Sequence, residues 1–170
     1  MRKLNILKTV LDIFWVFSAI TLIFILIYFP FYLFNSDMNI PIKIKGQEIT
    51  SKSNLSKIIL LVNIISGLFY VYAIYLLRKV VSLFQKREIF IDEVVKSFDL
   101  IGKLIIASSI ISSLSMFYYK ASEKDHFDYT LDLRSNNSIL ISIVLGLFFM
   151  VISEIFKIAK NMKEESELTI

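Results

Sequence analysis

Four long apolar runs decide what this chain folds into. They are Val10–Phe34, Lys57–Leu77, Leu100–Tyr119 and Ile139–Phe156. A helix rises 1.5 Å per residue, so the first run reaches roughly 37 Å, enough to cross about 30 Å of hydrocarbon with some tilt. A soluble helix of this length shows a polar face at helical period, and these runs show none. Hydrophobic residues make up 56% of the 170, and their segregation into runs settles the class. The expected fold is all-α and integral to the membrane, a four-transmembrane-helix bundle forming one domain over residues 1–170. A cleaved signal peptide is the rival reading of the first run. The run is too long, and the bulky PFYLFNSD that follows offers no small-residue cleavage site. Pro30 removes a backbone donor and is expected to loosen the last turn of that helix. Tyr28 and Tyr32 are placed for one aromatic belt and Trp15 for the other.

The charged connector Arg78–Lys103 joins the two halves. Val80, Val81 and Phe84 keep one apolar stripe while Arg78, Lys79, Lys86 and Arg87 are basic, so the second helix is expected to continue past the bilayer and end near Glu88–Ile91. Asp92 is the expected N-cap of the third helix, with Glu93 favoured by the helix dipole. The fourth helix is expected to run on into KIAKNMK, with Ile155, Ile158, Ala159 and Met162 on one stripe and Lys157, Lys160 and Lys163 turned away.

Basic residues assign the sides. The N-terminus carries three, the connector six and the C-terminal flank three, against seven in and beside the other two loops. The excess places the connector and both termini in the cytoplasm. The two remaining loops then lie outside. In the first, Ile40, Ile42 and Ile44 alternate with polar residues before Gly46-Gln47, the pattern of a small hairpin. In the second, Phe127, Tyr129, Leu131 and Leu133 alternate with Asp128, Thr130, Asp132 and Arg134, the pattern of a strand. Together they predict a small extracytoplasmic β element. Glu123, Asp125, Asp128 and Asp132 make the second loop acidic, but their spacing fits no cation-loop motif. His126 is the single His, which excludes a His pair within one chain.

Three sets of residues are candidates for more than threading. Asp12, Lys103 and Glu154 each lie about one turn inside the cytoplasmic end of a span and are expected to meet as a polar cluster, since charge within a span is a functional candidate by default. Asn63, Ser66 and Gly67 share a face of the second span. Ser108 and Ser112, with Ser109, Ser113 and Ser115 nearby, make the third unusually rich in hydroxyls. Such small polar faces let helices approach and hydrogen-bond. Arg78, Lys79, Lys86 and Arg87 form the candidate cytoplasmic surface for a partner.

The absence of Cys removes disulfides, thiolate catalysis and Cys-metal sites. No Ser-His pairing, metal set or Gly-rich phosphate loop is present, so no enzyme, cofactor or metal is expected. The basic residues flank apolar runs, which points to the lipid bilayer rather than to direct nucleic-acid binding. The leading expectation is a non-enzymatic interaction or regulatory protein. The alternative, small-solute transport or toxin immunity, rests on Asn63 and the serine face and needs a homo-oligomer.

The four-span layout, the connector IFIDEVVKSFDLIGK and the C-terminal ESELTI resemble the bacterial membrane proteins grouped as domain of unknown function 2975. Phe90 and Glu93 fit the family's pattern at the start of the third helix. Ile91 stands where the family commonly carries a hydroxyl residue, leaving Asp92 to cap. The resemblance implies a multi-pass protein of the bacterial inner membrane without assigned activity, and a helix-turn-helix regulator as a cytoplasmic partner. It carries over no functional residues.

Overall fold

The computed structural model describes residues 2–34, 42–44, 47–49, 54–123 and 133–168. They form α1 (Arg2–Phe34), β1 (Ile42–Ile44), β2 (Gln47–Ile49), α2 (Asn54–Gln85), α3 (Asp92–Glu123) and α4 (Leu133–Leu168). All four helices are long and apolar enough to cross a membrane. At 32 to 36 residues each is roughly 50 Å long, well beyond the hydrocarbon it has to span. The excess lies largely at the connector end, as the basic stripe on the second helix suggests.

The helices form an open row rather than a closed ring. Extensive contacts join α1 to α2, α2 to α3 and α3 to α4. The α2–α3–α4 trio builds the core, in which Leu76, Val80 and Leu83 meet Val94, Phe98, Ile101 and Ile105, with Phe149, Ile152 and Phe156 packed against them. Val80 and Val94 are fully buried. Phe98 stacks on Phe156 at 5.5 Å, and Phe84 lies 5.6 Å from Phe156. Much of this core lies beyond the last apolar residue of the second run, Leu77. It therefore buries apolar surface from water at about 25 cal/mol per Å², a driving force that the lipid-embedded part lacks. A smaller cluster of Ile59, Leu60, Met116 and Tyr119, with Phe29 against it, sits at the opposite end.

α1 stands outside this core. Phe17 and Phe24 are 68% and 69% exposed, as befits a lipid-facing helix. Its hydroxyls bond back one turn, Thr9 Oγ1 to the Asn5 carbonyl at 3.0 Å and Thr21 Oγ1 to that of Phe17 at 2.9 Å. For Thr21, within the apolar run, such back-bonding keeps the hydroxyl satisfied where no water reaches. The helix continues through Pro30 to Phe34.

α2 ends in a tight cap. Arg87 N–H donates to the Phe84 carbonyl and Glu88 N–H to that of Leu83, both at 3.1 Å, while Arg87 takes a φ of 65°. A left-handed residue normally ends a helix as glycine; here an arginine holds the place. α3 begins one residue away from the expected cap. The Ile91 carbonyl accepts from Val94 and Val95, so Ile91 is the capping residue and Asp92 is already in the first turn. Asp92 and Glu93 are the acidic residues there, where the dipole favours them.

The expected extracytoplasmic sheet from both loops is not supported. β1 and β2 pair antiparallel with each other, Ile42 opposite Ile49 and Lys43 opposite Glu48. Leu133 and Arg134, expected to close a strand, are the first residues of α4. Residues 124–132, with His126 and most of the acidic loop, lie outside the described residues. α4 also runs beyond Lys163 to Leu168, because Lys160–Glu164 at 3.2 Å and Lys163–Glu167 at 3.6 Å pair one turn apart and extend the helix.

Candidate functional site

Two polar layers cross the row of helices. The first lies at mid-depth between α2 and α3. Ser66 Oγ donates to the Ser108 carbonyl and Ser108 Oγ to the Ser66 carbonyl, both at 2.8 Å, with the two hydroxyl oxygens also 2.8 Å apart. This reciprocity requires the backbones to come close, which two serines allow and larger residues do not. Toward the end away from the connector, Asn63 Nδ2 donates to Ser115 Oγ at 3.1 Å and to the Ile59 carbonyl at 2.9 Å. Asn63 Oδ1 accepts from Ser112 Oγ at 3.0 Å. The amide thus has partners at both ends, as a buried polar group requires. The structure brings together four of the five residues expected on this face. The fifth does not join them, since the space beside Gly67 is open where a Cβ would stand.

The close approach made by glycine lies instead between α3 and α4. A Cβ on Gly102 would stand 2.5 Å from the Gly146 carbonyl oxygen, and one on Gly146 would stand 2.8 Å from that of Gly102. Ser153 Oγ adds a 2.7 Å bond to the Val95 carbonyl nearer the connector. Sequence reasoning missed Gly102, Gly146 and Ser153. The available signal was faint: a lone glycine in each of two apolar runs.

The second layer is a belt of charge at the connector end. Asp12 of α1 pairs with Arg78 of α2, whose guanidinium lies 5.2 Å over the Trp15 ring. Lys8 donates to Gln85 at 3.0 Å. Lys79 pairs with Glu93 of α3, and Lys160 of α4 with Asp92 at 2.9 Å. Each neighbouring pair of helices thereby gains one ionic tie. Asp92 and Lys160 lie beyond the apolar runs, and each shifts the other. The hydrogen bond and charge of Lys160 hold the Asp92 carboxyl below its ordinary value, and Asp92, then Glu164, raises the Lys160 ammonium. Lys160 is only 19% exposed, so it turns inward, away from the outward face expected of it.

The expected cluster of Asp12, Lys103 and Glu154 does not form. Asp12 stands on the outermost helix and reaches α2 alone. Lys103 bonds Asp99 on its own helix at 2.6 Å, and Glu154 is exposed. Equal depth in the bilayer is not adjacency when the helices stand in a row. The basic set divides as well. Arg78 and Lys79 are held by carboxylates, whereas Lys86 and Arg87 project from the connector turn, exposed.

Among the described residues no three His, Asp or Glu groups converge as for a metal ion. No curated protein and no solved structure matches the chain. A family model does match, over residues 15–170. The match takes in α1 from Trp15 onward, the connector and the other three helices, and the chain belongs to the family described as protein of unknown function (DUF2975).

Proposed function

We propose that this multi-pass membrane protein is a non-enzymatic regulatory or scaffolding protein of the bacterial inner membrane. Both termini and the connector lie in the cytoplasm, where they present a basic surface to a protein partner. One observation carries the reading: the core continues past the apolar runs into a packed three-helix head, closed by Phe84, Phe98 and Phe156. A minimal membrane hairpin needs a turn there, not a core. The head displays Lys86 and Arg87, together with Lys96, Lys157 and Lys163. Arg78 and Lys79 serve the head's own cohesion through Asp12 and Glu93. The partner type suggested by family resemblance, a helix-turn-helix regulator, is tested by co-purification with the neighbouring gene product. Lys86→Glu with Arg87→Glu is expected to abolish recovery, while Arg78→Gln leaves the surface in place and lowers stability slightly. Undiminished recovery from the double variant removes the connector from this role.

The transport alternative places its path along Asn63 and the serines, as an oligomer. Its test is solute flux into liposomes, compared with Ser112→Leu. The polar atoms that motivate it are hydrogen-bonded to one another across α2 and α3, an arrangement suited to joining helices.

A further inference from the structure

α4 carries two stripes. The inner one, through Gly146, Phe149, Ser153 and Phe156, packs on α3 and the core. The outer one steps alternately by three and four residues. Ile141, Val144 and Phe148 begin it, at 66%, 66% and 57% exposure. Within the apolar run such exposure is ordinary, because lipid covers it. The stripe does not stop there. Val151, Ile155, Ile158 and Met162 continue it without a break at 56% to 64% exposure.

Contacts with α2 fix the level of these last residues. Tyr70 meets Ser142 and Phe84 meets Phe156, and both pairs keep the same offset between the two helices. Val151 is therefore level with Lys79, and Ile158 and Met162 lie past the level of Gln85, where α2 ends. The Asp92–Lys160 ion pair lies between the levels of Ile158 and Met162. Lipid tails do not cover apolar side chains at the depth of an ion-pair belt. Lys157, Lys160 and Lys163 all stand off the stripe.

We infer that the outer stripe of α4 is the seam of a parallel homodimer, in which α4 packs against α4 of a second copy. A repeat of three and four is the pattern of helices wound about each other, with each apolar side chain seated among four of its partner's. Insertion gives every copy the same orientation, so the two-fold axis stands along the membrane normal and like residues meet across it. The occupant is then a copy of this chain, because a stripe unbroken from lipid into water matches a partner that makes the same crossing at the same level. From Ile141 to Met162 the seam runs roughly 32 Å. At roughly 60–120 Å² a side chain, the area implied by about 25 cal/mol per Å², the seam approaches the about 800 Å² per partner of a specific interface. This goes beyond the regulatory reading and does not rest on it: the seam uses the outer stripe, and the proposed partner uses the connector turn.

The chain has no Cys, so single cysteines report cleanly. Cysteines are placed in turn at positions 151 to 164 of the full chain, and isolated membranes are oxidised. A disulfide needs the two Cβ atoms within about 4 Å. Dimer formation is expected to peak at Ile155→Cys, Ile158→Cys and Met162→Cys, roughly tenfold above Lys157→Cys and Lys163→Cys. Ile158→Glu combined with Met162→Cys is expected to lose the crosslink while the monomer remains in the membrane. A flat profile, a maximum on the lysine face, or crosslinks from the stripe only to some other protein overturns the inference. The regulatory reading fails by a different observation, partner recovery undiminished when Lys86→Glu and Arg87→Glu are combined.

Discussion

The two seams flanking α3 join helices by different means. The α2–α3 seam is bonded: Ser66, Ser108, Asn63 and Ser112 exchange hydrogen bonds across it. The α3–α4 seam is steric at its centre, with Gly102 and Gly146 bringing backbone against backbone. Where apolar side chains gain nothing by leaving lipid, both devices replace the hydrophobic effect. They differ in tolerance. A hydrogen bond between serines is one of several, and its neighbours remain after it is lost. A missing Cβ has no substitute.

The glycine seam should break most sharply. Gly102→Val or Gly146→Val forces α3 from α4 and is expected to cost about 3 kcal/mol, read from thermal unfolding in detergent. Gly67→Ala is the control: it enters open space and should cost nothing. The bonded seam should give way more gently. Ser66→Val or Ser108→Val is expected to cost about 1–2 kcal/mol. In a double-mutant cycle the pair should lose less than the sum, because the two serines share their bonds. Equal sensitivity of the two seams would erase the distinction.

The helix ends sharpen it further. Arg87→Gly relieves a left-handed arginine and is expected to stabilise by about 1 kcal/mol, which a shift of the unfolding midpoint would register. Arg78→Gln removes an ion pair whose partners are 36% and 37% exposed, so a loss of under about 0.5 kcal/mol is expected, smaller still in high salt. The smallest effect is a pH dependence. The Asp92 carboxyl is held low by Lys160, so its contribution is full above the ordinary carboxylate value. It is lost as pH falls through the lowered one. Asp92→Asn should flatten that part of an acid titration and leave the neutral range almost unchanged.

What the sequence disclosed follows from the range of each signal. Run length and the lipid's thickness are enough for four spans, and the serine repeat is enough to mark a packing face. Partners are another matter. Asp12, Lys103 and Glu154 share a depth, yet the order of helices in the row decides who meets whom, and no single residue encodes that order. Gly102 and Gly146 are isolated in sequence and become a pair only when α3 and α4 cross. The cap at Arg87 was hidden because the usual glycine is missing. Leu133 and Arg134 showed how little a short alternating stretch constrains: two such positions serve as readily to open a helix.

Because each helix leans chiefly on its neighbours in chain order, the molecule can be put together in the order it is translated. α1 leans chiefly on α2, and α2 chiefly on α3. Contacts close in sequence form quickly, and a nascent chain issues its N-terminal part first. α4, the last of the four in chain order, brings the rings and the lysine that close the head, so that face is complete only once α4 has joined the other three.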